Sequence, residues 1–256
     1  MPVIDKLCYT SGLRTVNAGV KSAFTVLTLL TCVISRSIII AVIVLLVNSF
    51  LTIHRGKIPF KRYWKLMMIP MAFLILSTLA IIINFSPVPF DAYAISIGSI
   101  FITSSRASLL FAVQLMLTAL AAVSSLYFLA LSTPVTDIMM VLEKVHCPLI
   151  LTELMLLIYR FIFVLLSVAS AIRVSQQSRL GYKDFRTSVR SFAGLGAVLF
   201  IRAMKRANAI YDAMESRGYD GRIRVLKEEH PPKKQEILLI ISFELLLVGV
   251  WIGRCL

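Results

Sequence analysis

Long apolar runs are the feature that most constrains how this chain folds. A helix needs roughly 20 apolar residues to cross a hydrocarbon core of about 30 Å. Hydrophobic residues make up 58% of the 256 positions, which exceeds what a soluble domain of this size carries. The chain is therefore predicted to be an all-α integral membrane protein with about five transmembrane helices plus cytoplasmic amphipathic helices. The predicted spans are Val16–Ile34, Ile38–Ile53, Leu66–Phe85, Ala107–Leu131 and Ile237–Ile252.

Basic residues predict the orientation of these spans. The chain carries 27 Lys and Arg against 13 Asp and Glu, a formal net charge of +14. Many of the basic residues fall between His54 and Lys65, and Lys and Arg concentrate in cytoplasmic loops. We therefore expect a multi-pass plasma-membrane protein with a cytoplasmic N-terminus. The positive charge is assigned to loops and coupling surfaces, so no nucleic-acid partner is expected.

The pattern changes after the fourth predicted span, because apolar residues now alternate with charges at helical spacing. Residues 1–133 are predicted to form an N-terminal transmembrane region of about four spans, residues 134–235 a cytoplasmic region, and residues 236–256 a C-terminal transmembrane helix. The cytoplasmic region contains two long helical patterns, Leu149–Arg179 and Phe185–Ser216. The first half of the former is apolar enough to enter the membrane edge. The weakly apolar segment Asp91–Ser105 is interpreted as a short interfacial piece.

Sequence signatures of an enzyme are missing from this chain. It contains no phosphate-binding loop, dinucleotide fingerprint, zinc-protease motif or nucleophile elbow. Its three histidines are isolated, and its four cysteines are scattered without ligand spacing. We expect a non-catalytic subunit with no cofactor and no metal site of its own. The alternative is a self-contained secondary carrier or channel whose path is lined by polar residues within or beside the spans, namely Asn48, Asn84 and Glu244.

Two similar triplets end the two long helical patterns of the cytoplasmic region. They are Ser178-Arg179-Leu180 and Ser216-Arg217-Gly218. Gly218 stands where a helix commonly ends in a left-handed residue. An arginine at a helix C-terminus is favoured by the helix dipole, and its planar fork can bind a partner's carboxylate through two hydrogen bonds. The triplets are predicted to dock a partner; alternatively, the arginines cap their own helices or face anionic lipid headgroups.

Several segments in chain order resemble a known family. They are Ser35-Arg36-Ser37, the basic segment 57–63, Leu131-Ser132-Thr133-Pro134, Cys147-Pro148-Leu149, Tyr159-Arg160-Phe161 and the segment 213–219. Together they are similar to the transmembrane T component of energy-coupling-factor transporters, in particular its cobalt-transport CbiQ branch. In that family two short Ala-Arg-Gly-like motifs end the coupling helices, and their arginines dock into two ATPase subunits. Arg217 matches the second motif well; Arg179 matches the first less well, because Leu180 replaces a small residue.

The resemblance implies a function for the whole chain. The protein is expected to transmit the motions of two ATP-binding-cassette ATPase subunits, which hydrolyse the ATP, to a separate membrane-embedded substrate-binding (S) subunit. Ions of cobalt or nickel are the implied substrate, with their ligands on that S subunit. The implied coupling residues are Ser178, Arg179, Leu180, Ser216, Arg217 and Gly218.

Overall fold

The computed structural model describes residues 3–82, 84–86, 93–97, 100–104, 106–221, 223 and 231–255. Its elements in chain order are α1 (Val3–Thr10), α2 (Ala18–Ser35), α3 (Ile38–Phe50), a π-helical turn (Leu51–Arg55), α4 (Phe60–Ile82), β1 (Asn84–Ser86), β2 (Tyr93–Ile97), β3 (Ile100–Ser104), α5 (Arg106–Ser132), α6 (Val135–Lys144), α7 (Leu149–Ser178), α8 (Phe185–Glu215) and α9 (Lys234–Cys255). Apart from three short strands between α4 and α5, the described elements are helices, which confirms the predicted all-α membrane fold.

Six of the described helical segments are long and apolar enough to cross a membrane by length and composition. Five of them correspond to the predicted spans. The sixth is α7, whose 30 residues the sequence analysis placed only partly at the membrane edge. The protein is therefore a multi-pass membrane protein with one more candidate span than the five that were predicted.

Two local predictions differ from the structure. Helix α4 begins at Phe60, six residues before the predicted span, so the aromatic and basic residues of the preceding segment form its first turns. Between α4 and α5, the short strands pair antiparallel in the order β1-β3-β2, with Asn84 opposite Thr103 and Ile95 opposite Ile102. The segment interpreted as an interfacial piece therefore includes two strands, because its Tyr, Ile and Phe residues favour extended pairing.

An apolar core lies among α2, α3, α5 and α9, four of the helices that are long enough to span the membrane. Its buried members are Cys32, Ile40, Ala41, Val44, Ala121 and Leu247. A tight turn joins α2 to α3, with Arg36 in the left-handed conformation at φ 44°. Gln114 of α5 donates a hydrogen bond to the Arg36 carbonyl. The turn between the first two spans is thus held against the fourth span.

Lys21 ties the N-terminal segment to the end of α5. Its buried ammonium group donates to the carbonyl oxygens of Leu13, at 3.0 Å, and Ser132, at 2.9 Å. Ser132 is the last residue of α5, where a helix leaves carbonyls without an intrahelical partner, and Leu13 lies in the turn between α1 and α2. Lys21 therefore fixes the point at which the last apolar turn gives way to Thr133 and Pro134.

The chain divides into two compact units. One comprises Pro2–Ile138 together with Glu229–Leu256, and the other comprises Met139–Glu228. Within the second unit, α7 and α8 are joined by residues 179–184 and run antiparallel. Near this turn, the Gln176 side-chain amide donates to the Ser191 carbonyl at 2.8 Å. This helical hairpin carries both predicted docking triplets.

Candidate functional site

The first triplet ends α7 in a complete Schellman cap. The Gly181 amide donates to the Gln176 carbonyl at 2.8 Å, and the Leu180 amide donates to the Gln177 carbonyl at 3.0 Å. This pair of bonds defines the motif and satisfies carbonyls that the helix end would otherwise leave free. Arg179 is the cap residue, and Leu180 takes the left-handed position at φ 58°.

The second triplet repeats the same geometry after α8. The Tyr219 amide donates to the Met214 carbonyl at 3.0 Å, and the Gly218 amide donates to the Glu215 carbonyl at 2.9 Å. Arg217 occupies the position that Arg179 holds in the first cap, and Gly218 takes the left-handed conformation at φ 74°. The left-handed Gly218 was predicted from the sequence, and this prediction is confirmed.

Both arginines are solvent-exposed in this structure. They lie at opposite ends of the hairpin, since α7 ends where α8 begins and the second cap follows the far end of α8. At 1.5 Å per residue, the 31 residues of α8 span roughly 46 Å. The structure therefore does not bring the two predicted triplets together; it presents two equivalent guanidinium groups at separate points.

Side chains near the turn support the first cap. The Tyr182 hydroxyl donates to Gln176 Oε1 at 2.8 Å, and the Ser191 hydroxyl donates to the Gly181 carbonyl at 2.7 Å. A Cβ on Gly181 would lie 2.8 Å from both the Gln176 carbonyl oxygen and Ser191 Oγ, so glycine is required for this close approach. The Arg173 guanidinium carbon lies 5.8 Å from the centre of the Tyr182 ring. This is within the roughly 6 Å typical of a cation–π contact.

A single carboxylate supports the second cap. Glu153, in the first turns of α7, is 9% exposed. Its Oε2 accepts from the Tyr219 hydroxyl at 3.1 Å, and its Oε1 accepts from the Ile223 amide at 2.8 Å. Desolvation and the bond to Glu153 raise the pKa of the Tyr219 hydroxyl above its usual value. Tyrosine is already protonated at neutral pH at its usual pKa of about 10, so Tyr219 is a donor to Glu153 there.

Sequence reasoning missed these supporting contacts. In the sequence, Glu153 is one charge within an apolar helical pattern, and Gln176 is one of the polar residues near the end of that pattern. An acid in an apolar segment is a signal for a specific partner. Its partners lie 66 and 70 residues away, too far along the chain for spacing to identify them.

The intramembrane polar residues of the carrier alternative each form one contact between helices. Asn48 Nδ2 donates to Ser125 Oγ at 2.7 Å, and Thr31 Oγ1 donates to Glu244 Oε2 at 3.1 Å. The side chain of Asn84 lies outside the described part of the chain. Among the residues that were described, no group of three or more His, Cys, Asp and Glu side chains is placed to hold a metal ion.

Comparison with known proteins identifies the family. The sequence profile of the CbiQ family, described as cobalt transport protein, matches residues 10–228. The chain belongs to the CbiQ family. This confirms the CbiQ resemblance noted in the sequence, and it places the protein in a transport family that is not a known enzyme family.

Three relatives show how far the similarity extends. An uncharacterized protein of Methanocaldococcus jannaschii is 32% identical over 96% of this chain and 91% of its own length. The cobalt transport protein CbiQ of Salmonella typhimurium is 33% identical over 69% of this chain and 79% of its own. A putative fused cobalt transport protein CbiMQ of Methanocorpusculum labreanum is 30% identical over 97% of this chain, which spans only 41% of that longer protein.

Proposed function

We propose that this CbiQ-family protein is the transmembrane coupling (T) component of an ATP-driven energy-coupling-factor importer for cobalt or nickel ions. In this role the chain hydrolyses no ATP. It transmits the closure of two ATP-binding-cassette subunits to a separate membrane subunit that binds the ion. The N-terminus and both arginine caps lie on the cytoplasmic side of a prokaryotic membrane, so α7, although long enough to span, does not cross the membrane in this proposal.

The observation that carries this proposal is the pair of equivalent arginine caps. Each cap fixes the backbone on both sides of an exposed guanidinium, so each arginine is presented from a rigid position. A guanidinium binds a carboxylate through two parallel hydrogen bonds, which gives direction as well as affinity. Two such groups lie at opposite ends of one hairpin. This arrangement suits binding to two copies of the same partner better than binding to a single copy.

The exposed apolar surface of α8 supports contact with a second protein partner, a membrane subunit. No residue of α8 is buried within the described chain. Its large apolar side chains include residues that are more than half exposed: Phe185, Val189, Phe192, Phe200, Ile201, Met204 and Tyr211. Exposed apolar patches of this extent mark interaction or membrane surfaces. The substrate-binding subunit is the partner that we assign to this surface.

A substrate subunit is also consistent with the relatives. The Methanocorpusculum labreanum relative is named as a fusion of CbiM with CbiQ. A fusion places the two polypeptides in one complex at a fixed ratio. We propose that a separate chain of this kind accompanies the present protein.

The test is purification of the full chain from its native membrane in a gentle detergent, with identification of the associated proteins by mass spectrometry. We expect an ATP-binding-cassette protein and a small membrane protein with the wild type. Arg217→Glu should lose the ATPase and retain the membrane protein. Arg202→Glu, which reverses an exposed arginine in the middle of α8, is the matched control. Equal ATPase recovery with both variants would contradict the proposal.

The carrier alternative is less consistent with the interior of the membrane unit. Asn48 and Glu244 each bond a neighbouring helix, and residues one helical turn from them, Val44 and Leu247, belong to the buried apolar cluster. Interhelical hydrogen bonds of this kind are common packing contacts in membranes. Uptake of cobalt ions by liposomes containing this chain alone, abolished by Glu244→Gln, would establish the carrier instead.

A further inference from the structure

Glu153 connects the two ends of the coupling hairpin in a way that the proposed function does not explain. The Gln176–Ser191 bond marks positions of α7 and α8 that lie level with each other near the turn. Because the helices are antiparallel, the same number of residues is counted back along α7 and forward along α8. Counting 23 residues back from Gln176 reaches Glu153, and counting 23 residues forward from Ser191 reaches Met214. The carboxylate therefore lies at the open end of the hairpin, level with the second cap.

The contacts of Glu153 close this open end. Its two oxygens accept from Tyr219 and from the Ile223 amide, which lie on either side of the turn that follows the second cap. Gly221, with φ 85°, lies between them. The two bonds hold the chain that leaves Arg217 against the beginning of α7. The closed end is held separately, by the contacts of Gln176 with Tyr182 and Ser191.

A buried carboxylate at this place needs a reason. Glu153 is 9% exposed in a helix whose neighbouring positions are apolar, and an ionised group in such surroundings is costly unless it is hydrogen-bonded. Hydrogen bonds to a charged acceptor are roughly twice as strong as neutral ones. A leucine would fill this space without that cost, so the two donors account for a carboxylate at this position.

We propose that Glu153 is a positioning residue that sets the place of Arg217 relative to Arg179. Arg179 is fixed at the end of α7, and Glu153 fixes the second cap near the start of the same helix. Helix α7 thereby acts as a spacer that keeps the two docking arginines at a constant separation. This inference rests on the proposed coupling function and adds the residue that makes two-point docking possible.

The first test measures the hairpin itself by double electron–electron resonance on spin-labelled full chain in nanodiscs. The native cysteines are first replaced by serine. Labels at Leu154 and Ala213, both exposed and level with each other, report the open end; labels at Ser175 and Arg190, also exposed, report the closed end. Glu153→Gln should broaden the open-end distance distribution and leave the closed-end distribution unchanged. An unchanged open end overturns the proposal.

The second test measures partner recovery. With Glu153→Gln, we expect the amount of ATPase that co-purifies with the chain to fall roughly tenfold, which corresponds to about 1.4 kcal/mol. Asp212→Asn, which neutralises an exposed acid on α8, is the matched control and should change nothing. Full recovery with Glu153→Gln overturns the proposal.

A tether separates positioning from general stability. In the cysteine-free background, Glu153→Cys combined with Tyr219→Cys should lose ATPase recovery, and bridging the two thiols with a bifunctional methanethiosulfonate reagent should restore it. Reduction of the bridge should reverse the rescue. Failure of the tether to restore recovery, while the open-end distance becomes narrow again, shows that Glu153 does not act through position.

The outcomes also separate this inference from the proposed function. If Arg217→Glu does not reduce ATPase recovery, the proposed function fails, and the role of Glu153 in docking fails with it. If Arg217→Glu removes the ATPase while Glu153→Gln does not, the proposed function stands and only the inference about Glu153 is wrong.

Discussion

The two arginine caps have the same backbone hydrogen bonds but are built from different residues. The first cap places Leu180 at the left-handed position and is supported by neighbours within 15 residues, Gln176, Tyr182 and Ser191. The second places Gly218 there and is supported by Glu153, which lies 66 residues before Tyr219. Equal geometry from unequal sequences indicates that the position of the arginine, more than the triplet around it, is the shared property.

The two caps also differ in whether nearby or distant residues stabilise them. A left-handed leucine costs roughly 1–2 kcal/mol relative to its preferred conformation, whereas glycine adopts the same conformation without this cost. The first cap offsets this strain with a dense local network. The second cap has glycine at the left-handed position and no such strain. The position of the chain that follows this cap, however, depends on the carboxylate of Glu153. We therefore expect the caps to respond oppositely to backbone changes and similarly to changes of arginine charge.

The largest effect is expected from charge reversal at both caps. Arg179→Glu and Arg217→Glu should each reduce cobalt uptake by cells about 100-fold, because facing a carboxylate with a carboxylate costs several kcal/mol. Membrane insertion should be unchanged, since both residues are exposed. The double variant should be no worse than either single variant if both points are needed at once. A single variant with wild-type uptake would show that the caps are not equivalent.

A smaller effect is expected when each arginine is replaced by lysine, which keeps the charge and removes the fork. ATPase affinity should fall about tenfold for Arg217→Lys and by a similar factor for Arg179→Lys, since each loses one hydrogen bond of a bidentate pair. Titration of the purified complex with ATPase subunits measures this. If only Arg217→Lys weakens binding, the first cap contributes charge without bidentate contact.

These caps also show what the sequence alone could predict. Apolar run lengths located the spans, because the requirement to cross the bilayer acts on each segment separately. The left-handed Gly218 was predictable, because glycine after a helical pattern favours this conformation. Leu180 gave the opposite signal, and its conformation follows from the tight packing of Gly181 against Gln176 and Ser191.

The remaining parts depend on contacts between distant segments. The residues near Glu153 in the sequence do not indicate that it contacts Tyr219. The spacing of residues within one helix does not show which residues of another helix they contact. The strands between α4 and α5 were not predicted either, since strand pairing depends on partners as well as on propensity. The position of each arginine at a helix end was therefore predictable, whereas the residues that hold the two caps were not.

Exchanging the left-handed residues should change the two caps in opposite directions. Gly218→Leu should destabilise the second cap by about 1–2 kcal/mol through backbone strain alone, because no atom lies within 4 Å of the added Cβ. Leu180→Gly should stabilise the first cap by about 1 kcal/mol. Hydrogen exchange of the Tyr219 and Gly181 amides measures each cap directly. Faster exchange at Gly181 in Leu180→Gly would show that the leucine side chain stabilises its own cap.

The smallest effect is a pH dependence confined to the second cap. The folded-state pKa of Tyr219 is raised above its usual value of about 10, so the stability that its hydrogen bond contributes is fully present below pH 10 and is lost as pH rises through the folded pKa. Protection of the Ile223 amide should therefore be constant from pH 6 to about pH 9 and, relative to the intrinsic rate, should fall above about pH 10. Tyr219→Phe should lower this protection roughly fivefold at neutral pH and remove the alkaline loss, because phenylalanine has no proton to release. A wild-type profile that stays flat above pH 10, or that declines equally in Tyr219→Phe, would place the support of the second cap on Glu153 and the Ile223 amide alone.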